Sequence, residues 1–288
     1  MIQLDNKMLR QLQMLELEML IEVERICRKY DIQYNIIGGT LLGSVRHKGF
    51  IPWDDDADIA MLRKDYERFR AACREDLDFE RFYFQDATET KGYRWSYGKI
   101  RRKHTLFLRE YQEHMPYKQG VFIDIFPVDG VPDNYLLRAW NDFHCFCIRK
   151  LLWSEVGQYA DKSAFKRSWF RLMSNIPRDW ILAHYERLIQ KRNRKYTKRV
   201  RIALMPLPNC GFGYLREWYE ESGDYEFEGY MFKGIKNYHD FLTYEFRNYM
   251  TLPPVEKRKV HPVSDIKLFE NDLYEEKVQD EGNYSCSR

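Results

Sequence analysis

The sequence lacks any apolar run of about 18 residues, which argues against a membrane-spanning helix. No basic start followed by an apolar stretch opens it, so no signal peptide is expected. Neither a GxxxxGK[ST] loop nor a full EF-hand spacing occurs, which excludes a P-loop and a calmodulin-type calcium site. No internal repeat or low-complexity tract is found. The six cysteines, Cys27, Cys73, Cys145, Cys147, Cys210 and Cys286, form no CxxC pair. Cys145 and Cys147 sit two apart in an apparent helix and face different ways. Reduced thiols in a cytosolic protein are expected.

What is present is ordinary in bulk and uneven in detail. A length of 288 residues allows one large domain or a core with a second lobe. Aromatic residues make up 16% of the chain, enough for stacking or cation recognition as well as for core. The net charge is only +3, yet residues 138–201 hold 16 Lys or Arg against 5 Asp or Glu. Such a basic middle suits an anionic acceptor, an anionic membrane surface or a solvated helix face. The run from Lys191 to Arg201 has no accompanying recognition motif, so nucleic-acid binding is not expected. Phe165, Trp169, Phe170, Leu172, Met173 and Ile176 follow helical spacing with Lys166, Arg167 and Arg171 between them. That pattern fits an interfacial helix or one packed on a core.

Periodicity predicts an amphipathic helix over 7–30, a strand over 34–37 and a short helix over 40–46. A strand over 56–61 would place Asp56 and Asp58 on one face. A helix over 64–73, strands over 83–84, 93–101 and 120–126, and a break at Pro127, Gly130 and Pro132 follow. Residues 135–199 read as helical, divided at Gly157 and Pro177. A strand over 225–235 and a helix over 238–250 precede a polar last stretch, with a loose tail from Gly282.

The most informative residues are Trp53-Asp54-Asp55-Asp56-Ala57-Asp58. Four carboxylates within five positions repel one another, and a divalent metal is the physical reason to gather them. Asp56, Asp58 and Asp124, the last embedded in an apolar strand where it is costly unless it meets a cation, form a set suited to Mg²⁺, with Mn²⁺ as a substitute. One of the three is also a candidate general base. Gly38, Gly39 and Ser44 read as a phosphate cradle, and Arg46 as a bidentate phosphate ligand. Lys99 and Arg101 share a strand face by period two and could meet a diphosphate. Trp53, Trp95, Tyr97 and Trp218 are candidates to stack on a base or to enclose a quaternary ammonium. Together these features point to a metal-dependent enzyme acting on a nucleotide or another diphosphate.

The stretch Gly38 to Asp58 resembles the signature of the LicD family of phosphocholine transferases. So do Gly120 to Gly130, Phe227-Glu228-Gly229 and Asn248 to Arg258. Departures at Ala57, Gly234-Ile235 and Arg247-Asn248 spare the proposed metal ligands. The resemblance implies an α/β fold: a nucleotidyltransferase-like core with a small mixed β-sheet and an added helical lobe. It identifies Asp56 and Asp58 as a metal-binding pair, Gly38-Gly39 as the phosphate-side loop, and Asp124 as a third carboxylate. The expected organisation is a core over 1–132, a helical lobe over 133–205, and a segment over 206–288 completing the cleft. The implied reaction is transfer of phosphocholine from CDP-choline to a glycan or lipid-linked glycan hydroxyl, releasing CMP. Teichoic acid, lipopolysaccharide and capsule precursors are the implied acceptors. The alternatives are a CDP-ribitol or CDP-glycerol donor, or a non-catalytic nucleotide- or glycan-binding module. A cytoplasmic place, peripheral on the inner face of the cell membrane, is expected.

Overall fold

The chain opens with α1 (Asn6–Lys29), whose N-terminus is capped by the Asp5 carboxylate accepting from the Met8 amide at 2.7 Å. Its apolar positions, from Leu9 to Cys27, recur at helical spacing and are buried. After it come β1 (Asn35–Ile36), α2 (Gly38–His47), β2 (Asp58–Leu62), α3 (Arg63–Asp76), β3 (Phe82–Gln85) and β4 (Gly98–Arg102). Then follow β5 (Leu106–Arg109), β6 (Phe122–Gly130), α4 (Tyr135–Ala160), α5 (Ala164–Met173), α6 (Arg178–Asn193) and β7 (Arg199–Arg201). The remainder holds β8 (Tyr214–Leu215), α7 (Glu217–Glu220), β9 (Ser222–Phe227), β10 (Tyr230–Ile235), α8 (Tyr238–Phe246) and β11 (Val263–Lys267). These bounds come from a computed structural model that describes residues 4–206, 212–258 and 260–268. Cys210, Cys286 and the tail from Gly282 lie outside the described residues.

The fold is mixed α/β. One mixed sheet runs β3-β4-β6-β2-β1-β10-β9, with β7 added to β6 and β8 to β7. Strands β2 and β6 pair in parallel, as do β1 and β10, and the other pairs are antiparallel. A separate two-stranded ribbon joins β5 to β11. The main core lies between this sheet and helices α1, α2, α3 and α8, with Leu12, Leu20, Phe69, Ile123 and Phe241 fully enclosed. Helices α4 and α6 build a second apolar cluster around Cys145, Ile148, Leu152, Ile181, Tyr185 and Ile189. β7, which lies within the segment expected as a helical lobe over 133–205, returns to pair with β6 of the core.

Several expected elements change at their edges. The strand expected from residue 56 begins at Asp58, so Asp56 precedes it. The strand expected over 93–101 is confined to Gly98–Arg102. Its first part leaves the sheet because Tyr93 is buried against Tyr117 and Arg94 Nε donates to the Leu152 carbonyl at 2.6 Å. Pro127 does not end β6. The Asp124 amide donates to Ala57, so by alternation the Pro127 nitrogen faces the opposite edge. On that edge β4 pairing stops at Ile125 and β7 pairing begins at Asp129, so no hydrogen bond is lost. Gly157 lies inside α4, where a Cβ would stand 2.7 Å from the Phe170 ring; it is the point at which α5 packs closely. Pro177 does separate α5 from α6. The ribbon strands β5 and β11 were not foreseen.

Cys27, Cys73 and Cys145 are buried free thiols, and Cys147 is half-buried and free. Among the described residues no helix is long and apolar enough to cross a membrane.

The helical segment is tied to the core through the buried Asp129 carboxylate. Arg63 grips the buried Asp129 through Nε at 2.8 Å and Nη2 at 2.7 Å, and Asn193 of α6 donates to the same carboxylate at 2.7 Å. Removing one partner of such a pair leaves an uncompensated buried charge. Arg63→Ala should therefore lower unfolding stability by about 3–5 kcal/mol in chemical denaturation. A loss below about 1 kcal/mol, the range of exposed pairs, would contradict that account.

Candidate active site

The parallel register of β2 and β6 places Asp58 directly beside Asp124. The antiparallel register of β4 places Lys99 on the other side of Asp124. Lys99 and Asp124 form a buried ion pair. Burial pushes Lys99 down to about 7, with Asp124 acting in the opposite sense. The Lys99 ammonium also sits 3.3 Å from the centroid of the Phe122 ring, around which Arg101 and Arg109 stand at 5.0 and 5.1 Å.

Helix α2 begins at the same place. It starts without a side-chain cap, so its first amides point outward at its positive end. Gly38 has φ +55°, and a Cβ there would stand 3.3 Å from Asp58 Oδ2; a Cβ on Gly39 would stand 2.4 Å from Asp54 Oδ2. At Gly39 the carboxylate reaches the helix end through space a Cβ would fill, and at Gly38 the positive φ favours glycine. Thr40 Oγ1 accepts from the Asp58 amide at 2.8 Å and holds the start of β2 against α2.

The carboxylates are crowded. Asp58 is pushed well up by burial and then by Asp56, Asp124 and Asp54. Burial, then Asp56 and Asp55, carry Asp54 up to about 7. Asp56 is raised by burial, against the opposing pull of His261 and Arg109. Glu16 of α1, 2% exposed, faces the same group; burial and the four aspartates push it well up, and its Oε2 has no hydrogen-bond partner among the described residues. Asp55 accepts from the His261 amide at 2.8 Å and from its ring Nδ1 at 3.1 Å. His261 Nδ1 lies 3.6 Å from Asp56.

Among the described residues no group of three or more His, Cys, Asp or Glu forms a set that could hold a metal ion. Asp56, Asp58 and Asp124 are therefore not a ready-made three-ligand site as expected. Lys99 takes up Asp124, and Asp56 stands outside the strand. The chemistry of the donor set still suits a hard cation, since buried oxygens raised by mutual repulsion gain most from an added positive charge.

Beside Lys99 opens a cavity of about 390 Å³ between the sheet, α4 and the stretch ending at Pro206. Its cations are Arg94, Lys99, Arg101, Arg109, Arg149 and Lys150, and among the described residues no carboxylate lines it. Trp95 and Trp153 stand on its wall with ring centroids 6.0 Å apart. The Nε of Arg109 is buried there without a hydrogen-bond partner among the described residues.

The other expected site residues separate. Ser44 is buried, and its hydroxyl donates to the Glu226 carbonyl at 2.6 Å. Arg46, at the far end of α2, donates to the Tyr249 carbonyl at 2.8 Å. Arg101 is engaged by Gln85 and the Gly120 carbonyl, both at 2.6 Å, while it lines the cavity. Trp53 is covered by Arg258, 4.2 Å from its ring, and Tyr97 packs on Phe126 with Lys99 over it at 5.3 Å. Trp218 is buried among Phe241 and Tyr244. Only Trp95 and Tyr97 of the four aromatics line the cavity.

Sequence reasoning missed Glu16, Arg94, Arg109, Trp153 and His261. Each sits on an element whose partner is distant in the chain. The available signal was Glu16, a carboxylate on the apolar face of an otherwise regular helix.

Two later motifs brace this site. Glu228, at the turn between β9 and β10, accepts from Arg10 at 3.0 and 2.6 Å and from the Phe50 amide at 3.0 Å. The segment around Tyr249 and Arg258 closes over Arg46 and Trp53.

The lipopolysaccharide cholinephosphotransferase LicD of Haemophilus influenzae is 29% identical, over 89% of this chain and 97% of its own length. Uncharacterized proteins of Rickettsia typhi and Rickettsia prowazekii are 42% and 44% identical, over 18% and 17% of this chain and 17% and 18% of their own. The LicD/FKTN/FKRP nucleotidyltransferase domain matches residues 31–178, a span that holds α2, the Asp54–Asp58 run, Lys99 and Asp124, and the chain belongs to that family.

Proposed function

We propose that the protein transfers phosphocholine from CDP-choline to a hydroxyl of a cell-surface glycan and releases CMP. The observation that carries this reading is the placement of Asp58 and Asp124 side by side, with Lys99 shared between them and a cationic cavity. Its choline and glycan parts rest on the activity for which the Haemophilus relative is named.

The cavity suits the nucleotide half of the donor. Arg101, Arg109, Arg149 and Lys150, together with Lys99 and Arg94 that also pair with Asp124 and Glu155, favour a diphosphate over a quaternary ammonium, while Trp95 and Trp153 offer ring faces to a base. Lys99 and Arg109 would meet the phosphates nearest the carboxylates. The α2 amides beside Gly38 and Gly39 would receive the transferred phosphoryl oxygens. Asp124 would take the proton of the acceptor hydroxyl. The hydroxyl oxygen bonds to the phosphorus that bears choline, and the bond from that phosphorus to the CMP oxygen breaks. Asp56 and Asp58 would hold Mg²⁺, which supplies neutralisation of diphosphate charge when bound.

A second reading keeps this chemistry with a CDP-linked alditol such as ribitol or glycerol phosphate. It is favoured by the separation of Trp53, Trp95, Tyr97 and Trp218, which form no single aromatic cage. CMP release from CDP-choline, CDP-ribitol and CDP-glycerol, with Mg²⁺ and a glycan acceptor pool, separates the two. We expect release from CDP-choline. Release from an alditol donor alone would overturn the choline assignment, and none from any donor would overturn the transferase reading.

Asp58→Asn and Asp124→Asn should each reduce turnover by about a hundredfold or more. Asp58→Asn should at the same time raise the metal-free melting temperature, because it removes a repelled buried charge. Mg²⁺ should raise the melting temperature of the parent protein and not of this variant. A lower metal-free melting temperature in Asp58→Asn would contradict the repulsion described here.

Trp95→Leu should weaken CMP binding about tenfold by titration calorimetry, the scale of one base–aromatic stack. Trp53→Leu should leave it unchanged. The reverse pattern would move the nucleotide out of the cavity.

A further inference from the structure

Helix α4 carries one stripe whose two halves meet different surroundings. Leu136, Trp140 and Phe143 continue at three-four spacing to Lys150, Ser154 and Gly157. The C-terminal half is covered by α5, whose Phe170 lies against Gly157 and 6.0 Å from the Lys150 ammonium. The N-terminal half has no cover among the described residues: Leu136 is 74% exposed, and Trp140 and Phe143 are more than half exposed. Helix α5 presents Phe165, 81% exposed, with Trp169 and Leu172 on a face away from Phe170. Both surfaces lie on the outside of the helical segment.

The charge around them is mainly positive. Residues 135–176 hold seven Lys or Arg against three Asp or Glu, and of the seven Arg149 and Lys150 line the cavity described above. All three acids are engaged: Asp142 accepts from Arg201 at 2.5 Å, Glu155 pairs with Arg94, and Asp161 accepts from the Ser163 amide at 2.9 Å. Lys166 and Arg171 stay exposed beside the α5 aromatics.

We infer that this face docks on an anionic lipid bilayer, with the Trp and Phe rings at the headgroup boundary and the Lys and Arg side chains on the lipid charge. A second copy of the chain fits poorly, because its own excess of cations would meet the same excess. This inference goes beyond the transferase reading and does not depend on it.

The test is flotation of the full chain with vesicles of phosphatidylcholine containing phosphatidylglycerol, against vesicles of phosphatidylcholine alone. Binding is expected on the anionic vesicles only. Trp140→Ser with Phe143→Ser, and separately Phe165→Ser with Trp169→Ser, should each weaken it about tenfold. Lys166→Glu with Arg171→Glu should do the same on anionic vesicles. Circular dichroism establishes that the variants fold, and all six positions are outside the site described above. No flotation on either vesicle, flotation unchanged in every variant, or a dimer in sedimentation velocity that the aromatic changes dissolve would overturn the inference.

Discussion

The backbones of two paired parallel strands are held about 4.8 Å apart by hydrogen bonds, and carboxylates at matched positions stay neighbours whatever their charges prefer. Asp58 and Asp124 are in that position, and Asp54 and Asp56 add to the repulsion from the loop before β2. The surroundings answer this constraint. Lys99 is buried to meet Asp124, Arg109 comes from the ribbon toward Asp56, and His261 donates to Asp55. The positive end of α2 meets Asp54 and Asp58 across two glycines. Glu16 alone brings no compensation and faces the cluster as a further buried carboxylate. A site so loaded with negative charge is set up to gain from a cation.

The same geometry links two regions of opposite sign. Lys99 belongs to the acidic side through Asp124 and to the cationic cavity through Phe122 and its neighbours Arg101 and Arg109. A diphosphate spanning the two would have one end among cations and the other beside carboxylates. That polarity matches a group transfer in which one phosphate is retained with the nucleotide and the other moves. The lobe matters here as well, since Arg149, Lys150 and Trp153 of α4 complete the cavity wall.

Local chemistry was legible in the residues. The helix at α1, a short helix after Gly38-Gly39 and the β6 strand with its embedded Asp124 could all be read from spacing and residue type, as could the shared strand face of Lys99 and Arg101, whereas the start of α2 at Gly38 itself could not. What was not legible depends on contacts distant along the chain. Tyr93 and Arg94 have strand-like neighbours, yet their burial against Tyr117 and Leu152 takes them off the sheet. Pro127 reads as a breaker, and only the gap between β4 and β7 explains why the strand passes through it. Ser44, Arg46 and Trp218 have the right chemistry for a site, but nearby carbonyls and rings claim them for structure. His261 and Arg109 come together only because β11 pairs with β5, more than 150 residues apart in the chain.

The central claim is that the acidic pair and the cationic cavity act as one site around Lys99. The most direct measurement is a crystal structure with Mn²⁺ and CMP, using the anomalous signal to place the metal. The account predicts Mn²⁺ on Asp56 and Asp58, the phosphate near Lys99 and Arg109, and the base beside Trp95 and Trp153. Metal bound away from these aspartates, or the nucleotide outside the cavity, would contradict it.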